Sequence, residues 1–317
     1  MTFKRKVMIR KVKICVLLSG FGLSCQIANA QQEVQNSFYM FNSSILNPAY
    51  AGSRDALSVV LDYRNQWTGW KGAPQTSSFI MHTPLVRESI GVGINVVSDQ
   101  IGPSKKTAIF GDFSYRIKLN KNNDRLCFGL RGGVDLLRNN LSTLQVNDGT
   151  DPLTINNLNF SSNSFNVGTG IYYYGKRHFL GLTAPQIIPT KLNDNSLFIN
   201  SKQVLHYYLI GGYVFKLNSL WDLKPGFSLK YTQNAPLSLD ANLSVLFNEK
   251  IWFGIMYRAG AAAGANVIYN VTKQLRIGYA YDYSITNMGK YSPSSHEIIL
   301  GFDFLSNSKA LKSPRYF

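Results

Sequence analysis

From about residue 56 to residue 305, apolar and polar residues alternate almost without pause, a period of two that only extended strands can use. The stretch 274–283 shows it most plainly. Leu275, Ile277, Tyr279, Tyr281 and Tyr283 fall on one side, and Gln274, Arg276, Gly278, Ala280 and Asp282 on the other. Successive side chains of a strand point to opposite faces, so this segment has one apolar wall and one polar wall. The polar wall carries a cation and an anion, which a dry core would accept only as a pair. A surface with lipid on one side and water on the other fits both walls.

The same reading repeats along the chain. Leu57, Val59, Leu61 and Tyr63 oppose Ser58, Asp62 and Arg64; Ile109, Phe113, Tyr115 and Ile117 oppose Asp112, Ser114 and Arg116. Leu126, Phe128, Leu130 and Val134 oppose Cys127, Arg131 and Asp135, and Ile298, Leu300 and Phe302 oppose Glu297, Gly301 and Asp303. The pattern predicts about fourteen strands, each near the roughly ten residues that a tilted membrane-crossing strand needs. The expected fold is all-β: a transmembrane outer-membrane β-barrel of about 14 antiparallel strands over residues 56–305. A soluble β-sandwich is the competing architecture, but so many long strands in one sandwich would be unusual.

The connections sort by parity. Those after even strands are short; several after odd strands are long, above all 139–163 and 185–202. Outer-membrane barrels have short periplasmic turns and longer outer loops, so the long set is expected outside. Trp67, Trp70, Tyr172, Tyr173, Tyr174, Trp221, Trp252 and the tyrosines of 279–283 fall near strand ends, where interface girdles are expected.

Residues 1–30 read as a secretion signal. Six Lys and Arg precede a short apolar core, and Ala28-Asn29-Ala30 offers a small-residue cleavage site. Residues 31–55 do not alternate; they are expected to form an ordered periplasmic or lumenal segment, and 306–317 a C-terminal tail. Removing the signal takes six cations and no acids from a net charge of +16, leaving +10, and takes Cys15 and Cys25, leaving Cys127. A single cysteine makes no internal disulfide. The remaining Lys and Arg are scattered, without the dense basic, aromatic-interleaved runs that nucleic-acid binding favours; outer-membrane lipid or an acidic protein is the better counterpart.

Catalytic signatures are few. His82, His178, His206 and His296 lie far apart without metal spacing. The sequence has no G-x-S-x-G elbow and no phosphate-cradling glycine loop. No cofactor and no enzymatic activity are expected, with a membrane hydrolase built on a strand-borne Ser and His as the contrary case.

Leu46-Asn47-Pro48-Ala49-Tyr50-Ala51-Gly52 resembles the signature of the PorP/SprF family, type IX secretion system membrane proteins of Bacteroidota. Tyr63-Arg64-Asn65-Gln66-Trp67, followed by Gly69, Gly72 and Pro74, is similar to the family's second block, and 295–301 to its final strand. The long 139–163 connection and the tail after Leu305 depart from the pattern. The resemblance implies a barrel of the cell outer membrane that works with type IX secretion components. It also implies export or surface anchoring of adhesin-like proteins through their C-terminal domains, and service to gliding motility. Asn47, Pro48, Ala49, Tyr50, Ala51, Gly52, Arg64, Gln66 and Trp67 are the family-motif and partner-binding candidates. Physically, Pro48 biases Asn47 to an extended conformation, Gly52 permits a turn, and Tyr50 supplies a packing contact at the periplasmic mouth or lumen. A packed turn and a partner contact both remain open for these residues. A diffusion channel for small solutes is the alternative function, since a barrel of this size has room for a lumen.

Overall fold

The computed structural model describes residues 35–85, 89–121, 124–140, 159–189, 204–233, 235–292 and 294–304. The expected secretion signal (1–30), the expected tail (306–317) and most of the two longest connections lie outside these residues.

The strands are β1 Leu57–Asn65, β2 Gln75–Pro84, β3 Ile90–Ile101, β4 Ser104–Lys118, β5 Arg125–Asn139, β6 Phe160–Tyr174, β7 His178–Ala184, β8 His206–Tyr213, β9 Phe215–Lys216, β10 Trp221–Thr232, β11 Ser238–Phe247, β12 Ile251–Arg258, β13 Ala262–Asn270, β14 Leu275–Ser284 and β15 Ser294–Phe304. β8 and β9 both pair with β10 and are one stave interrupted at Val214, so the ring has fourteen. All pairings are antiparallel between neighbours, and β1 pairs β15 from Leu57↔Phe304 to Asn65↔His296. That last pairing closes the sheet into a barrel with no free edge, which satisfies every ladder amide without water.

The faces follow the alternation. Leu61, Tyr63, Ile109, Phe113, Phe128, Leu130, Ile255, Ile277 and Ile298 are exposed on the outside, while Asp62, Arg64, Asp112, Arg131, Arg276 and Glu297 are buried inside. Apolar surface left outside and charge gathered inside inverts a soluble protein, and is the order lipid imposes. Placing a charge on the outer belt tests this directly. Ile255 sits mid-strand and 62% exposed. Ile255→Arg is expected to destabilise the folded barrel by about 2–4 kcal/mol, read as an earlier urea midpoint in lipid vesicles.

The aromatic girdle needs correction. Trp221, Tyr279, Tyr281 and Tyr283 do face outward, but Tyr172, Tyr174 and Trp252 are buried on the lumenal phase of β6 and β12. Their neighbours Tyr173 and Phe253 point the other way, because position in a strand fixes the face and nearness to a strand end does not.

Candidate functional site

Residues 35–55, which precede β1, lie inside the barrel. They cross the lumen and touch opposite walls. Ser37, Phe38, Met40, Ala49, Tyr50 and Ala51 are essentially without solvent exposure.

The first family block makes the fold of this segment. Asn47 is extended (φ −124°, ψ 111°), as the residue before a proline must be. Its side-chain oxygen accepts from the Ala49 amide at 2.9 Å, capping the short 3-10 turn Pro48–Tyr50. Its side-chain nitrogen donates to the Ile171 carbonyl of β6 at 3.0 Å. One amide thus forms the turn and fastens it to the wall. Tyr50 packs edge-on against Tyr172 and His82, with ring centroids 5.4 and 5.3 Å apart. Gly52 has φ +73° and lies so near the backbone of Thr83 and Pro84 that a Cβ would sit 3.0 Å from it; both facts select glycine. Its amide donates to His82 Nδ1 at 3.1 Å. On the wall, a Cβ at Gly129 would overlap the Pro48–Ala49 backbone, so that glycine lets the segment seat.

Charges on the wall complete the fastening. Arg116 donates to the Gly52 carbonyl at 2.7 Å, and Ser114 to the Ala51 carbonyl at 2.7 Å. Arg131 pairs with Asp112 at 2.7 Å and donates to the Ser44 and Ile45 carbonyls at 2.7 and 3.0 Å. Lys224 reaches the Met40 carbonyl at 2.9 Å and lies 4.2 Å from the Phe41 ring, which itself stacks edge-on to Trp252. Arg54 and Arg276 share Asp303 at 3.1 and 2.9 Å. Burial is the largest influence on Arg54 and works against its charge; the Asp303 carboxylate and Tyr50 together offset it and hold the guanidinium above its ordinary range.

Arg64 is the centre of another cluster. It pairs with Glu297 at 2.7 Å and Asp282 at 2.8 Å. Ser37 donates its hydroxyl to Asp282 at 2.6 Å and its amide to Glu297 at 2.8 Å. Buried charges persist only when paired with opposite charge in this way.

The sequence candidates therefore separate into two places. Asn47, Pro48, Ala49, Tyr50, Ala51 and Gly52 are all found against the wall strands β2 to β7, toward the short-turn end. Arg64 is near the opposite end, buried beneath Ser37. Gln66 and Trp67 sit above it in the β1–β2 connection, half-buried. The Gln66 amide donates to the Pro74 carbonyl at 2.9 Å, and the Trp67 amide to the Ser295 hydroxyl at 3.2 Å. The motif residues and Arg64 thus find their partners within the chain. Lys224 and the run 37–41 are not singled out by sequence reading, and Trp252 is expected there in the interface girdle rather than against the inner segment. The signal was there: Phe38-Tyr39-Met40-Phe41 is an apolar run too short to cross a membrane, with no alternation to make it a strand.

Above the inner segment a cavity of about 570 Å³ lies among the ends of β3–β5, β8 and β10–β12 nearest the long connections. Tyr39, Ile45 and Leu46 form part of its floor. The Tyr39 phenol is pushed above its ordinary range by burial and by the nearby Asp240 carboxylate, so it stays neutral and able to donate. Among the described residues no group of His, Cys, Asp and Glu is arranged to hold a metal ion.

A family model described as type IX secretion system membrane protein PorP/SprF matches residues 28–302. No curated protein sequence matches the chain. Among solved structures, the CymD monoaromatic hydrocarbon channel is similar at a TM-score of 0.51 and 11% identity, covering 86% of this chain and 94% of the channel. Omp33 of Acinetobacter baumannii has a TM-score of 0.46 and 7% identity, over 78% of this chain and 98% of its own. The Escherichia coli outer membrane phospholipase A has a TM-score of 0.37 and 12% identity, over 86% and 95%. At such identities the CymD likeness speaks for the fold alone, an outer-membrane barrel.

Proposed function

The chain belongs to the PorP/SprF family of type IX secretion system membrane proteins, and from that premise we propose that it is a non-catalytic outer-membrane accessory of secretion. It binds an exported adhesin-like protein, through that protein's C-terminal domain, at the long-loop face of the barrel. The observation that carries this reading is the inner segment. A lumen crossed by residues 35–55 and fastened to walls on both sides is poorly suited to solute diffusion, whereas the outward cavity and long connections offer a surface for a partner. The Asn47–Gly52 block and Arg64 set that surface by holding the inner segment in place; Gln66 and Trp67, at the outer rim, are the motif residues placed to meet a partner.

The test is affinity capture of the tagged barrel from native membranes after mild detergent extraction. Recovery of an exported protein together with type IX components is expected. Capture of neither, from a barrel that runs as folded on a heat-modifiability gel, refutes the accessory role. Gliding and adhesion assays on a strain lacking the gene then assign the process served.

A further inference from the structure

The rim above β1–β3 carries a second site, on the lipid-facing side of the wall and outside the lumen. The cross-strand registers arrange it in three rows. Leu61, Phe79 and Val96 stand level on the outward face, then Tyr63, Ser77 and Ser98, then Asn65, Gln75 and Gln100. Outward polarity thus rises in register toward the rim, from apolar groups through hydroxyls to carboxamides, as expected where a lipid belt gives way to headgroups.

The β1–β2 connection folds over the last row and is tied on both flanks. The Gly102 amide donates to the Gly72 carbonyl at 2.9 Å on one side. On the other, the Thr68 amide donates to the Ser294 carbonyl at 2.8 Å, and the Thr68 carbonyl accepts from the Ser292 hydroxyl at 2.9 Å. A Cβ at Gly69 or Gly102 would meet nothing within 4 Å. Beside these glycines opens a hollow of about 270 Å³, lined by Asn65, Gln75, Gln100 and Trp70. Trp70 is 46% exposed and packs edge-on to Tyr291, itself 73% exposed, with ring centroids 5.8 Å apart.

The chemistry of the hollow limits its ligand. Among the described residues its lining carries no charged side chain, so a phosphate or a chain terminus finds no counter-charge there. The three carboxamides make no side-chain hydrogen bond within the described residues, and Gln75 and Gln100 are exposed. Their donors and acceptors are therefore open to a ligand arriving from outside. A carboxamide donates and accepts at once, which suits a sugar hydroxyl that does the same. Adjacent strands repeat the carboxamide about every 4.8 Å, the scale of one pyranose ring. An exposed indole offers a flat apolar face for the C–H side of that ring. The same outward face continues down into Tyr63 and then Leu61, Phe79 and Val96, so a sugar held at the rim can carry acyl chains into the belt.

Independently of the accessory role, we propose that this rim site binds the neutral sugar headgroup of a membrane glycolipid. Asn65, Gln75 and Gln100 hydrogen-bond its hydroxyls, Trp70 takes the apolar face of the ring, and the acyl chains run down over Leu61 and Phe79.

The experiment uses the full-length barrel in phosphatidylcholine nanodiscs doped with monoglucosyl dioleoylglycerol, and native mass spectrometry counts the lipids each barrel retains. Saturable retention of the glucosyl lipid is expected, with roughly tenfold preference over phosphatidylcholine at equal mole fraction. Gln75→Leu and, separately, Trp70→Ala are each expected to lower that preference by roughly threefold to tenfold. Trp221→Ala removes an outward aromatic at the short-turn end and is expected to leave it unchanged; heat-modifiable mobility certifies that each variant is folded. Retention of the glucosyl lipid no better than that of phosphatidylcholine, by a folded wild-type barrel, overturns the proposal. So does a preference that survives both rim substitutions, or one that falls equally in Trp221→Ala. Methyl β-glucoside separates the two sources of sugar. Lacking acyl chains, it is expected to displace the glycolipid weakly or not at all. Binding as tight as that of the glycolipid would assign the site to a free glycan and overturn the membrane source.

Discussion

Deletion of residues 35–52 is expected to convert a barrel that passes no steady current in a planar bilayer into one that does. The wall would keep its own ion pairs, Arg64 with Glu297 and Asp282, and Arg131 with Asp112, now surrounded by water. What it loses is the packing of Phe38, Tyr39, Met40, Phe41 and Tyr50, all buried. Fully burying a large apolar side chain is worth about 1.5–3 kcal/mol, so the opened barrel should also unfold several degrees earlier. Gly129→Val is the gentler form of the same experiment. Its side chain would occupy the place of the Pro48–Ala49 backbone, and the expected result is intermittent current from a loosened segment. A wild-type barrel that conducts as freely as the deletion would remove the case against a solute channel.

The second large effect concerns Arg64. Arg64→Met is expected to destabilise the barrel by about 3–5 kcal/mol, because it leaves Asp282 and Glu297 buried without their cation. The side chains of all three groups are 3% exposed or less, so water offers little relief. Glu297→Gln added to Arg64→Met should recover part of the loss by removing one of the stranded anions. The measure is a double-mutant cycle of urea midpoints in lipid vesicles. Equal stability of Arg64→Met and wild type would mean that the lumen there is wet and the cluster electrostatically idle.

What the amino-acid order revealed and concealed divides along a physical line. Strand faces were legible wherever one side is apolar throughout, as with Leu275 to Tyr283, because lipid outside and polar lumen inside enforce a period of two. The pairing of lumenal charges was foreseeable in kind, since Asp112, Arg131 and Glu297 had to be partnered. Which partners they take was not: Ser37 and Glu297 are 260 residues apart, and no local pattern records such a contact. Tyr172, Tyr174 and Trp252 were misplaced at the membrane interface because aromatic type was read without strand phase. The inner segment has no periodicity at all. Its fold comes from one capped turn at Asn47 and from carbonyls offered to Arg116, Arg131 and Lys224 on distant strands, and only the motif resemblance pointed to its importance. Why Val214 interrupts the eighth stave has no account in the contacts around it.

The junction between the first and last strands carries a consequence for biogenesis. Ser37 and Arg54 precede the first strand, yet they bond Glu297 and Asp303 on the strand made last. Bringing ends so far apart into register is entropically expensive. A half-built sheet curled around its own leading segment already displays those two groups at the gap, so the arriving edge meets a jig cut to its charge pattern. Sealing the cylinder and filling it are then one event, and an insertase that handled this chain would release it already stoppered.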